Sequence, residues 1–164
     1  LRHHKIEYTI HAVEAFGVAS IWEALQLCGA SRLGHGVRLV DDLTRGPNGW
    51  ELGEVARYVR DRRIPLELCP SSNLQTGVCG SVAEHPFGLL ADLRFRVTVN
   101  CDNRLMSRTT LSRELLLLAE AFDYDVPDLR LFTVNAAKSA FHPFDKRREL
   151  INDVILPGFG ALGA

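Results

Sequence analysis

Thr9-Ile10-His11-Ala12-Val13-Glu14-Ala15-Phe16-Gly17, TIHAVEAFG, marks a change of pattern. Before it, Ile6, Tyr8 and Ile10 alternate with other residues, which predicts a strand over Ile6–Ile10. After it, the apolar spacing becomes helical. Ser20 can cap a helix Ile21–Cys28, Glu23 completes a capping box, and Gly29 stops the helix. His11 and Glu14 therefore stand where a strand hands over to a helix.

Working outward, the same succession recurs. Leu33–Val40, within RLGHGVRLV, reads as a second strand with glycines flanking His35. A polar loop from Asp41 to Gly49 leads to an amphipathic helix over Trp50–Arg63. Pro65–Pro70 is a third strand, closed by its proline and followed by the polar loop SSNLQTG. A short helix falls within His85–Asp92, and Phe95–Asn100 is a fourth strand ending at Cys101-Asp102-Asn103. Thr110–Phe122, Asp128–Ala140 and Asp145–Leu156 read as helices, the last two parted by His142-Pro143.

Strands alternating with helices predict an α/β fold with parallel strands joined by crossover helices. Four such units make about half of a (β/α)8 barrel, which needs about 250 residues. A doubly wound sheet would carry a glycine-rich phosphate loop after its first strand, and HAVEAFG does not fit that loop. The expected architecture is a partial TIM barrel in one domain, 1–164.

Composition narrows the partners. The formal net charge is −1, and Arg62-Arg63 and Arg147-Arg148 are only pairs, so neither nucleic acid nor an acidic solvating tail is expected. Cys28, Cys69, Cys79 and Cys101 form no C-x-x-C pair, which predicts reduced thiols and a cytoplasmic location. No signal peptide is expected, and no apolar run is long enough for a membrane span. The first residue is Leu1 rather than Met, which reads as part of a longer protein.

Polar side chains gather at the predicted strand ends: His11 and Glu14, then His35, then Ser71, Ser72 and Asn73, then Asp102 and Asn103. In a parallel barrel these points share the C-terminal mouth, where catalytic residues collect. Neutral imidazole and carboxylate suit a zinc-type ion, and such an ion lowers the pKa of its water to about 7. Glu14 can shuttle protons beside it. The pattern points to metal-assisted hydrolysis. A serine hydrolase would need a G-x-S-x-G elbow, which is missing. The compact zinc nucleobase deaminases need H-x-E with P-C-x-x-C; here the spacing is H-x-x-E, and CPSSN lacks the second cysteine.

Taken together, these motifs resemble the C-terminal half of the adenosine deaminase family, zinc-dependent (β/α)8 barrels. TIHAVEAFGVASIWEAL is similar to the family's T-x-H-A-G-E motif and the helix after it. RLGHGVRL matches R-[LI]-G-H-G, LELCPSSNLQTG resembles E-x-C-P-x-S-N, VTVNCDNRLMSRTTLSRE resembles V-x-[LI]-N-T-D-[DN], and FTVNAAKSAF matches the closing motif. The motifs occur in family order across almost the whole chain, roughly strands five to eight with their helices. The resemblance implies deamination of adenosine to inosine with Zn2+ as cofactor. His11 and Asp102 would ligate the ion. Glu14 would protonate purine N1, His35 would orient the attacking water, and Asp102 would accept its proton. Asn103 would donate to purine N7, which an amide does at any pH. Ser72 and Asn73 would brace the mouth.

Two departures from the family pattern carry expectations. Val13 stands where the family has glycine; if that backbone has positive φ or closely approaches the ligand, the valine costs about 1–3 kcal/mol. The family's first half, with an H-x-H ligand pair and a purine-facing glycine loop, is not represented. His3-His4 does not replace that pair, because adjacent strand residues face opposite ways. The isolated chain is therefore expected to have little activity. The alternative reading is a catalytically dead remnant, or a half-barrel interaction module that self-associates through its open edges or pairs with an N-terminal half.

Overall fold

Residues 4, 6–12 and 17–163 are described by the computed structural model. In chain order the elements are β1 (Thr9–Ala12), α1 (Val18–Gln26), β2 (Arg32–His35), a 3-10 turn (Val37–Asp42), β3 (Leu43–Gly46), β4 (Gly49–Leu52), α2 (Glu54–Asp61) and β5 (Pro65–Leu68). There follow α3 (Pro70–Gln75), a 3-10 turn (Val82–Glu84), α4 (Phe87–Asp92), β6 (Arg96–Val99), α5 (Arg104–Ser107), α6 (Leu111–Phe122) and α7 (Val126–Ser139). A final helical run comprises α8 (Phe144–Glu149), a π-helical stretch (Leu150–Ile155) and α9 (Leu156–Gly160). The α/β class and the strand–helix succession agree with expectation. The chain forms two compact units, Leu1–Leu68 with Pro86–Arg96, and Cys69–His85 with Val97–Ala164.

In the first unit, β1, β2 and β5 run parallel in that order. Strand β1 begins and ends later than Ile6–Ile10, so His11 lies within it, paired with Gly34. Alternation gives this sheet two characters. Leu33, Leu66 and Leu68 are fully buried on the apolar side. Thr9, Arg32 and Glu67 make a polar cross-strand ladder: the Arg32 Nε donates to Thr9 Oγ1 at 3.0 Å and pairs with Glu67 Oε1 at 2.9 Å.

Strand β2 stops at His35, short of the expected Val40, because His35 and Gly36 have φ of 60° and 69°. Two successive left-handed residues turn the chain out of the sheet, and Val37 and Leu39 are buried in a 3-10 turn instead. Asp41–Gly49 is also no simple loop. It enters an antiparallel hairpin, β3 with β4, closed through Gly46 and Gly49 around Pro47-Asn48. Arg45 lies opposite Trp50 and stacks over its ring at 5.4 Å. Trp50–Leu52 thus belongs to the hairpin, and α2 begins only at Glu54. Its start is capped by Asp42, whose Oδ2 accepts from the Ala56 N–H at 2.7 Å. The Ser20–Glu23 capping box does not form: Gly17 is the N-cap of α1, and the Ser20 hydroxyl donates to its carbonyl.

In the second unit, the expected SSNLQTG loop is largely the helix α3, started by Pro70 at its first position. The helix expected over Thr110–Phe122 is α6, with Thr110 as its cap: the Thr110 hydroxyl accepts from the Arg113 N–H. Helix α7 starts earlier than Asp128, because Asp125 and Asp128 form a reciprocal capping box. The Asn135 amide donates to the Val97 carbonyl at 3.2 Å, fixing α7 to β6. Among the described residues, no helix is long and apolar enough to cross a membrane.

Candidate active site

The first unit brings His11 and His35 together. Their rings meet edge-to-face, with centroids 4.5 Å apart and planes at 67°. Sequence parity alone would separate them, since Ala12 rather than His11 is the register partner of His35. The left-handed backbone at His35 breaks the alternation. His11 is exposed and His35 is buried, so one imidazole is accessible while the other is held. Gly34 permits the close approach of β2 to β1 at this level, because a Cβ there would lie 3.1 Å from the His11 Cα.

The second unit holds Asp102 and Asn103. Asp102 also has left-handed backbone, with φ of 53°, and its Oδ2 accepts from the Ser72 hydroxyl at 2.6 Å. Asn103 caps α5, its Oδ1 accepting from the Met106 N–H at 3.1 Å. That bond uses the amide oxygen as an acceptor and leaves the amide nitrogen as the side chain's donor. Ser72 is buried, and the neighbouring Asn73 is fully so. Asn73 Oδ1 faces His85 Nε2 at 3.1 Å and accepts from the Cys69 N–H at 3.4 Å.

Glu114 is the buried residue that strand-end reasoning passes over. It is fully buried, accepts from the Ser71 N–H through Oε2 at 2.9 Å, and accepts from the Thr109 hydroxyl through Oε1. A sequence signal exists. Glu114 lies on the stripe of Leu111, Leu115 and Leu118, where a carboxylate is out of place unless it has donors. Its charge is felt nearby: burial first, and then Glu114, pushes the Cys101 thiol upward, while Arg104 draws it back.

Glu14 and Val13 lie outside the described residues, as does His3, and His4 is exposed. Among the described residues, no three His, Cys, Asp or Glu side chains gather as a metal-holding group. The donors fit a zinc-type ion in kind, one imidazole and one carboxylate, but a stable zinc site needs more ligands.

Against known proteins, the family model for adenosine deaminase matches residues 1–157. Adenosine deaminase 1 of Streptomyces coelicolor is 61% identical over 163 residues, covering 99% of this chain and 41% of that protein. An adenosine deaminase of Mycobacterium tuberculosis is likewise 61% identical, with 45% of its length covered. The chain thus spans under half the length of these relatives. Among solved structures, an adenine deaminase from Arthrobacter aurescens superposes with a TM-score of 0.85 at 21% identity, over 97% of this chain and 45% of that one. An amidohydrolase from Burkholderia ambifaria with bound Zn gives 0.81 at 23% identity, over 99% and 43%. These likenesses fit an α/β fold that forms part of a barrel. With the family model matching nearly the whole chain, this protein belongs to the adenosine deaminase family.

Proposed function

We propose that residues 1–164 are the C-terminal half of a (β/α)8 deaminase domain, and that the completed domain converts adenosine and water to inosine and ammonia. The observation that carries this reading is the 61% identity to adenosine deaminases across 99% of the chain. Zn2+ is the cofactor this reading requires, with His11 and Asp102 among its ligands. The bound ion would bring a water's pKa to about 7.

The chain's own residues then divide the work. His35, held by burial and by its ring contact with His11, orients the water that adds to C6. Asp102, oriented by Ser72, takes that water's proton. Glu14 delivers a proton to N1. The proton taken by Asp102 then passes to N6, the C6 hydroxyl gives its proton back to Glu14 as it becomes the carbonyl, and the C6–N6 bond breaks with ammonia leaving. Asn103 presents its amide nitrogen to N7, since its oxygen is spent on the Met106 N–H. The substrate is a purine nucleoside and the role is purine salvage. Four free cysteines support a reducing, cytoplasmic setting.

The chain by itself should deaminate little or no adenosine. A direct test fuses it behind the segment of the Streptomyces coelicolor relative that it does not cover. The fusion should bind one zinc and convert adenosine, and Glu14→Gln should abolish conversion. A fusion that folds, yet neither retains zinc nor turns over, would defeat the proposal. Activity from the unfused, zinc-loaded chain that is lost in Glu14→Gln would defeat the expectation of inactivity. Val13→Gly in the fusion, which restores the family's residue between His11 and Glu14, should raise turnover. The competing half-barrel interaction module draws support from Leu105 and Met106, 85% and 73% exposed. Sedimentation of the unfused chain as a well-folded monomer would count against it.

A further inference from the structure

We propose that Glu114 is a positioning residue for Asp102, acting through Ser72; the inference rests on the reading of Asp102 as a metal ligand and proton acceptor. The argument lies within the second unit. Ser72 and Asp102 belong to two segments that must be held together for their 2.6 Å bond to persist. One is the β5–α3 turn, Cys69–Asn73. The other is the stretch Asp102–Thr109 between β6 and α6.

Glu114 grips both. Its Oε2 takes the Ser71 N–H, one residue before Ser72, and its Oε1 takes the Thr109 hydroxyl at the far end of the Asp102 segment. A carboxylate is the side chain suited to this place, because it accepts at both oxygens, whereas an amide accepts at only one. Full burial makes each bond hard to replace by water. A second clasp, the Ser107 hydroxyl on Gln75 Oε1 at 3.0 Å, joins the end of α3 to the Asp102–Thr109 stretch but is exposed. Asn73 and His85 fix the turn from within, through the Asn73 Oδ1 contacts with His85 Nε2 and the Cys69 N–H. Glu114 is thus a buried group that bridges the two sides. Asp102 needs such support, since its backbone is left-handed at φ 53°.

The test uses Glu114→Gln, Ser72→Ala and Ser72→Thr, each in the 164-residue chain without metal and in the fusion described above. In the chain, Glu114→Gln should speed amide exchange about tenfold at Ser71 and at Met106 and Thr109. In the fusion it should weaken zinc retention about tenfold in a chelator competition, in line with other groups that orient metal ligands. Ser72→Ala should reproduce the zinc loss while leaving Ser71 exchange unchanged, and Ser72→Thr should restore retention. Should Glu114→Gln fail to fold, the Ser72 pair decides: full zinc retention in Ser72→Ala overturns the proposal. Faster exchange at Ser71 with unchanged zinc retention would overturn it also, leaving Glu114 a purely structural anchor. If the unsubstituted fusion retains no zinc, the metal reading fails separately. Exchange at Met106 and Thr109 in the chain then decides, acceleration supporting the positioning role and constancy overturning it.

Discussion

The two units hold their site residues by different means. In the first, His11 and His35 are placed by backbone: strand register, a glycine that allows close approach, and a left-handed pair at His35-Gly36. In the second, Asp102 is placed by side chains: Ser72, which touches it, and Glu114, Asn73 and His85 behind Ser72. Backbone placement is robust to most side-chain changes but intolerant of a Cβ. Network placement is the reverse, since each buried polar member depends on its partners.

The largest effect should come from breaking the network. Glu114→Ala leaves the Ser71 N–H and the Thr109 hydroxyl without their acceptor. At about 1–3 kcal/mol for each stranded group, the loss should be about 4 kcal/mol. Denaturant unfolding of the chain reads this directly. A loss under about 1 kcal/mol would mean that water replaces the carboxylate, and the contrast between the units would collapse.

Backbone placement should break next, at glycine. Gly36→Ala puts a Cβ 2.9 Å from the Leu66 Cδ2 at a position with φ of 69°. The conformational strain and the clash should together cost about 2 kcal/mol, seen as a lower unfolding midpoint. Gly34→Ala should cost less, about 1 kcal/mol, because φ there is ordinary and the contact, 3.1 Å to the His11 Cα, is tight rather than overlapping. Its signature is a displaced His11 ring, visible as a change in the imidazole proton shifts. Unmoved shifts would show that β1 slides to make room and that Gly34 does not set the histidine pair.

The same contrast explains what was legible in the sequence. Residue types at strand ends could be read because strand–helix succession marks where each strand ends, and His11, His35 and Asp102 all stand at or just beyond strands. The contact between His11 and His35 could not be read. Strict alternation assigns them opposite faces, and only the left-handed His35 overrides it. The hairpin Leu43–Leu52 was hidden because its Gly, Pro and Asn content also describes a loop, although Gly46 and Gly49 flank a two-residue turn. The role of Ser72 was legible only as bracing. The donors that Glu114 gathers are set by how α6 docks, which periodicity does not specify.

The smallest expected effect probes the network segment from its exposed end. Cys79 lies on the Cys69–His85 stretch, and its thiol is pushed upward, first by burial and then by Glu84. A raised thiol pKa means less thiolate at a given pH, so alkylation near pH 8 should be slower than for an unstructured cysteine. The difference should vanish once pH exceeds the raised value, where both thiols are ionised. Glu84→Gln removes only the charge contribution and should speed alkylation about twofold, while burial continues to slow it. Asn73→Ala should act more strongly, because Asn73 holds the segment's buried end through Cys69 and His85. If Glu84→Gln and Asn73→Ala were equally mild, Cys79 would be insulated from the network, and side-chain placement in the second unit would extend no further than the groups that directly flank Ser72.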